Sequence, residues 1–189
     1  MSAIPQLANP QASAQSFTDM PKLETFIPQG SRTVLLNDDL ATRRLGAQIA
    51  RAAKPGWIVT LSGGLGAGKT TLVQGLLAAM GERGRVRSPT YTLVESYTPG
   101  QVCVHHLDLY RLNSPQEWLD AGLDELVDGR SIILIEWPEQ GGQWVPAPDL
   151  TIGLDIWNTG RRAMLTACSA QGATGLETID PAPEPEPHP

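Results

Sequence analysis

The chain has little of what several common chemistries need. It contains two cysteines, Cys103 and Cys168, whose number and spacing give no zinc pattern. Both fall in strand-like runs and read as buried free thiols, which fits a cytoplasmic location. No apolar run approaches the roughly 18 residues of a membrane-spanning helix, so no membrane association is expected. The N-terminus lacks a basic region followed by an apolar stretch, so no secretory signal is expected either. His105 and His106 are not in a metal-ligand spacing, and in a strand they point to opposite faces; packing or surface roles are expected for both. An Asn-Lys-x-Asp sequence, which would read guanine, is missing.

Positive charge is also short, with a net charge of −6. Much of the deficit sits at the ends, in Asp19 and Glu24 on one side and Glu177, Asp180, Glu184 and Glu186 on the other. The body is close to neutral, so an association with RNA is not excluded by the overall balance. Residues 1–30 and 173–189 lack apolar periodicity and are expected to be disordered tails, the second acidic and proline-rich. Between them, 31–172 is expected to be one domain.

What the sequence does have is a glycine loop with the right flanks. The apolar run Trp57 to Leu61 leads into Gly63-Gly64-Leu65-Gly66-Ala67-Gly68-Lys69-Thr70-Thr71, and an alanine- and leucine-rich stretch follows to Met80. Gly63, four residues, then Gly68-Lys69-Thr70 satisfies the phosphate-loop pattern in its strand-loop-helix context. Glycines let backbone N–H groups turn toward phosphate oxygens, and the helix N-terminus adds partial positive charge. Lys69 would reach the outer phosphates, and the Thr70 hydroxyl would take one Mg²⁺ position.

The rest of the body reads as helix and strand in alternation. Asn37-Asp38-Asp39 starts a helix whose Leu40, Leu45 and Ile49 recur at helical spacing, with Arg43, Arg44 and Arg51 on a solvated face. Thr92 to Tyr97 and Val102 to Leu107 suggest a hairpin, as do Leu150 to Ile156 and Arg162 to Cys168. Ser114-Pro115-Gln116-Glu117 suggests a capping box opening a helix through Ala121. Ser131 to Ile135, closed by Glu136, has the continuous apolar character of a strand buried on both faces. The expected fold is α/β: a P-loop NTPase with a mostly parallel central sheet, flanking helices and antiparallel strand additions, binding ligand at the carboxyl ends of the parallel strands.

A phosphate loop needs a partner carboxylate, because one threonine hydroxyl gives Mg²⁺ too little negative charge. Glu136, ending an apolar strand before Trp137-Pro138, is the first candidate. Asp108 closes the other strand, where it could hold a metal-bound water, orient an attacking water, or pair structurally with Arg111. Thr90, within Ser88-Pro89-Thr90-Tyr91-Thr92, is a candidate phosphate-sensing switch, or else part of an ordinary turn. Arg83, Arg85 and Arg87 flank it and read as a solvated loop or as a nucleotide-controlled contact with protein or RNA. A small-molecule kinase remains an alternative, although no stretch suits an arginine-bearing lid.

Four ordered motifs, at 63–71, 88–95 (Ser-Pro-Thr-Tyr-Thr-Leu-Val-Glu), 106–112 (His-x-Asp-Leu-Tyr-Arg-Leu) and 135–138 (Ile-Glu-Trp-Pro), together resemble the TsaE (YjeE) family. The resemblance implies a bacterial cytoplasmic ATPase needed to make threonylcarbamoyladenosine on tRNA, acting with TsaB and TsaD proteins and reaching tRNA through that complex. It implies that Lys69 binds phosphate, Thr70 and Glu136 hold Mg²⁺, Asp108 assists hydrolysis and Trp137 shapes the site. Asp38 to Thr42 would border the adenine, and Gly160-Arg161 would approach the nucleotide. Gly64 departs from the family pattern, in which an acidic or polar residue is common.

Overall fold

The computed structural model describes residues 28–180. The strands are β1 (Gly30–Leu36), β2 (Ile58–Ser62), β3 (Val94–Tyr97), β4 (Val104–Asp108), β5 (Ile132–Glu136), β6 (Leu150–Trp157) and β7 (Gly160–Ala167). The α-helices are α1 (Asp39–Ala52), α2 (Lys69–Met80), α3 (Glu117–Asp120), α4 (Pro138–Gly141) and α5 (Ala170–Glu177). All seven strands form one sheet in the order β1-β7-β6-β2-β5-β4-β3. Its middle, β6-β2-β5-β4, is parallel, while β1 on β7, β7 on β6 and β3 on β4 are antiparallel. The sheet is therefore evenly mixed rather than mostly parallel, because the β6–β7 hairpin recruits β1 as an antiparallel edge.

Strand periodicity divides the core in two. On β5, Ile132 and Leu134 join one apolar cluster with α1, α2 and the hairpin, while Ile133 and Ile135 join a second cluster with Leu109, Leu112 and Trp118. A strand that buries both alternating sets needs apolar residues throughout, hence the unbroken run 132–135. The hairpin buries one face only: Ile152, Leu154, Ala163 and Leu165 are fully enclosed, while Met164 on the opposite face is 57% exposed.

Helix α1 begins where expected. Asp38 is its N-cap, its carboxylate accepting from Ala41 N at 2.6 Å. Helices α1 and α2 approach at paired glycines. A Cβ on Gly75 would lie 2.2 Å from the Arg43 carbonyl oxygen, and one on Gly46 would lie 2.1 Å from that of Leu72, so neither position admits a side chain without parting the helices.

Four further expectations need correction. The C-terminal tail begins later than 173, because Ala170–Glu177 is helical and Leu176 and Ile179 are buried. This helix carries no apolar stripe; it lies flush because Gly172 and Gly175 let it close on Asp149 and Trp57, with Ser169 as N-cap. The N-terminal boundary moves earlier, since Gln29 N already donates to Ala167 O at 2.9 Å and Gly30 opens β1. Residues 1–27 and 181–189, which hold the rest of the expected tails, lie outside the described residues. Cys103 and Cys168 flank strands rather than sit inside them, and both are half-buried. The expected capping box does not form at Ser114. Glu117 Oε1 accepts from Asn113 N instead, and α3 is one turn long.

Candidate functional site

The carboxyl ends of β2, β4 and β5 meet at one edge of the sheet. In-register pairing sets Asp108 of β4 beside Glu136 of β5, and Leu61 of β2 beside Glu136 on its other flank. The loop leaving β2 turns into α2 through Gly63 at φ +133°, where a Cβ would strike the Leu154 carbonyl oxygen at 2.2 Å. Only glycine lets the loop pass so close to β6.

A cleft of about 270 Å³ opens over this edge. Leu65 to Thr71 form one wall, and Thr90, Asp108, Glu136 and Trp137 the other. Lys69 is 5% exposed, and its Nζ donates to the carbonyls of Gly63 at 2.6 Å and Gly64 at 3.0 Å. The same ammonium lies 3.9 Å from the centroid of the Trp137 ring, which itself leans on Tyr110 at 5.0 Å. Burial pushes the Lys69 ammonium below the usual lysine range, while the nearby carboxylates of Glu136, Asp108 and Glu139 pull it back up.

The two carboxylates are held differently. Glu136, 2% exposed, accepts on Oε1 from the Thr70 hydroxyl at 3.0 Å and from His106 Nε2 at 2.9 Å. Asp108, 3% exposed, accepts on Oδ2 from Ser88 and from Thr90, the latter at 2.7 Å, and on Oδ1 from Tyr110 N at 3.1 Å. The segment before β3 reaches Asp108 through a tight turn in which Leu93 takes φ 63° and its N–H donates to Pro89 O. Gln74 of α2 anchors the start of that segment by donating to Val86 O at 3.0 Å. Trp137 adopts φ 58°, a left-handed conformation that starts α4 with proline at its first position.

Lys69, Thr70, Thr71, Thr90, Asp108, Glu136 and Trp137 thus share one cleft with the glycine loop. Asp38, Thr42, Gly160 and Arg161 do not line it. Arg161 instead touches the loop outside the cleft lining, donating to Gly66 O at 3.1 Å, and the Thr42 methyl lies next to Gly68. Arg43, Arg44, Arg51, Arg83, Arg85 and Arg87 are exposed.

Three participants escaped the sequence reading. Ser88 shares Asp108 with Thr90, and Tyr110 supports Trp137. His106 is fully buried, as a packing residue would be, but it is also bonded to Glu136, which the sequence reading did not expect. Strand alternation carried the signal, since a residue two before Asp108 must face the same side of the sheet.

A buried lysine and the N-terminus of α2 suit an anion with several oxygens. The linked Thr70 hydroxyl and Glu136 carboxylate suit a hard divalent cation. Among the described residues no three histidine, cysteine or carboxylate side chains cluster as a self-sufficient metal site. That donor set fits Mg²⁺, which keeps several waters and shares substrate oxygens, better than a metal caged by protein alone.

Comparison with known proteins gives a consistent result. The family model described as "Threonylcarbamoyl adenosine biosynthesis protein TsaE" matches residues 36–164. The tRNA threonylcarbamoyladenosine biosynthesis protein TsaE of Haemophilus influenzae is 38% identical over 142 residues, covering 72% of this chain and 90% of that protein. The TsaE protein of Treponema pallidum is 36% identical over 67% of this chain and 93% of its own length. A crystal structure of Bacillus subtilis YdiB superposes with a TM-score of 0.69 at 27% identity, covering 79% of this chain and 94% of that one.

Proposed function

The chain belongs to the TsaE family of threonylcarbamoyl adenosine biosynthesis proteins, and from that premise we propose that it is a magnesium-dependent, P-loop ATPase of the tRNA-modification pathway. Its hydrolysis resets a cytoplasmic complex of TsaB- and TsaD-type proteins, through which it reaches tRNA. The observation that carries the ATPase reading is the Lys69 ammonium, buried at the head of α2 and held, among the described residues, by loop carbonyls and the Trp137 face alone. Such a cation is desolvated already, and it gains most by meeting phosphate oxygens.

In this reading the γ-phosphate displaces the Gly63 and Gly64 carbonyls from Lys69. The N–H groups entering α2 take the remaining phosphate oxygens. Thr70 and Glu136 hold Mg²⁺, which when bound neutralises charge on the phosphate oxygens. Asp108 orients the attacking water; to do so it exchanges a hydroxyl from Ser88 or Thr90 for that water, coupling the 83–93 segment to the state of the nucleotide. Trp137, backed by Tyr110, covers Lys69 and shields its contact with phosphate from water. Thr42 and Arg161, which meet the loop at Gly68 and Gly66, serve the adenosine end together with Asp38 and Gly160.

The test is phosphate release from ATP by the protein alone, with TsaB- and TsaD-type partners, and with tRNA added. Slow turnover alone and stimulation in the assembly is the expected outcome. Turnover unaffected by the partners would remove the resetting role, and transfer of phosphate to a metabolite would replace the ATPase with a kinase.

A further inference from the structure

Inside the sheet, one polar ring touches the site from below. His106 is 0% exposed, on the same face of β4 as Val104 and Asp108, and register pairs it with Leu134. Its Nε2 meets Glu136 Oε1 at 2.9 Å, and its Nδ1 is buried without a hydrogen-bond partner among the described residues. A carboxylate oxygen only accepts, so a ring hydrogen must sit on Nε2, and whichever form the ring takes its Nδ1 is left unpaired in the core. An unpaired buried nitrogen opposes folding, and an apolar side chain would fill the same space without it. Packing alone therefore does not account for an imidazole here, whereas its bond to Glu136 does.

From this geometry we infer that His106 is a positioning residue, fixing the Glu136 carboxylate in the orientation in which it serves the divalent cation. Glu136 has two ties, both to Oε1. The Thr70 hydroxyl lines the cleft, where the cation would claim it; the His106 ring is fully enclosed by the core, so it is the tie that persists. Hydrogen bonds from groups behind a metal-binding carboxylate keep it from turning away when the metal is absent, and their loss commonly lowers metal affinity about 10- to 100-fold. The inference rests on the Mg-ATP reading of the cleft and adds a residue to it.

The experiment compares ATP binding, by calorimetry, in excess Mg²⁺ and in EDTA, for the wild type, His106→Leu and His106→Gln. The wild type should gain affinity from Mg²⁺. His106→Leu should lose about tenfold of that gain while binding metal-free ATP as the wild type does. His106→Gln, whose amide still donates, should recover most of it. An unchanged Mg²⁺ gain in His106→Leu, or an equal loss with and without metal, would overturn the inference.

Ring ¹⁵N shifts of the full-length wild type give a second readout that needs neither ligand nor folding of a variant. A hydrogen on Nε2, in the neutral or the doubly protonated ring, supports the tie, and a neutral ring protonated on Nδ1 alone overturns it. If the wild type binds no ATP in either buffer, the ATP reading of the cleft fails, and the tautomer still decides whether His106 holds Glu136.

Discussion

The two halves of the sheet are built from similar strands, but they bury different things. Behind β6, β7 and β1 the enclosed residues are apolar: Val34, Leu36, Leu150, Ile152, Leu154, Ala163, Leu165 and Ala167. At the ends of β2, β4 and β5 the enclosed residues include Lys69, His106, Asp108 and Glu136. Buried ionisable groups oppose folding unless paired, so a fold that tolerates four in one place is supported elsewhere. The antiparallel half supplies that support, and Arg161 extends it to the loop by holding the Gly66 carbonyl. The phosphate end of the site and the scaffold are thus divided along the sheet, with β2 as the boundary.

If this division holds, a change in one half should leave the other's property intact. The largest effect is expected for Asp108→Ala. ATP hydrolysis should fall by about 10² to 10⁴, the usual range for losing a group that manages a proton or water in the transition state, with ATP affinity within a few-fold. Single-turnover kinetics and equilibrium binding measure the two separately. Next comes Leu165→Ala in the scaffold, which should lower unfolding free energy by about 2–5 kcal/mol in urea titrations while ATP affinity of the folded protein stays near wild type. A large loss of affinity in that variant would show that scaffold and site are not separable.

The smallest effect concerns pH. The Lys69 pKa in the free protein is lowered by burial, and phosphate would favour its charged form. ATP affinity should therefore be flat below the lowered pKa and fall as pH rises through it, by no more than about tenfold per unit, at a lower pH than an ordinary lysine would give. Lys69→Arg, whose charge persists, should lack this alkaline limb.

The parts legible in the sequence share one property: a local pattern determines them. Strand β5 was legible because a doubly buried strand must be continuously apolar, and the loop at 63–70 because its glycines, lysine and threonine have fixed spacing. Helix α5 was not, since glycines packed on Trp57 and Asp149 replace an apolar stripe and their partners lie far away in sequence. The even mixture of parallel and antiparallel pairs was likewise hidden, because β1 pairs with β7 across the whole chain. His106 was half legible: alternation placed one histidine on the Asp108 face, but only the β4–β5 register brings it to Glu136.

The central claim is that the cleft at the head of α2 binds ATP through Lys69. Calorimetric titration of Mg-ATP into the wild type and Lys69→Ala, with unfolding curves to show that both are folded, tests it directly. The account expects saturable one-site binding to the wild type and at least a hundredfold weaker binding to the variant, about 2.7 kcal/mol for a desolvated charge on phosphate. Equal affinity in both proteins would contradict it.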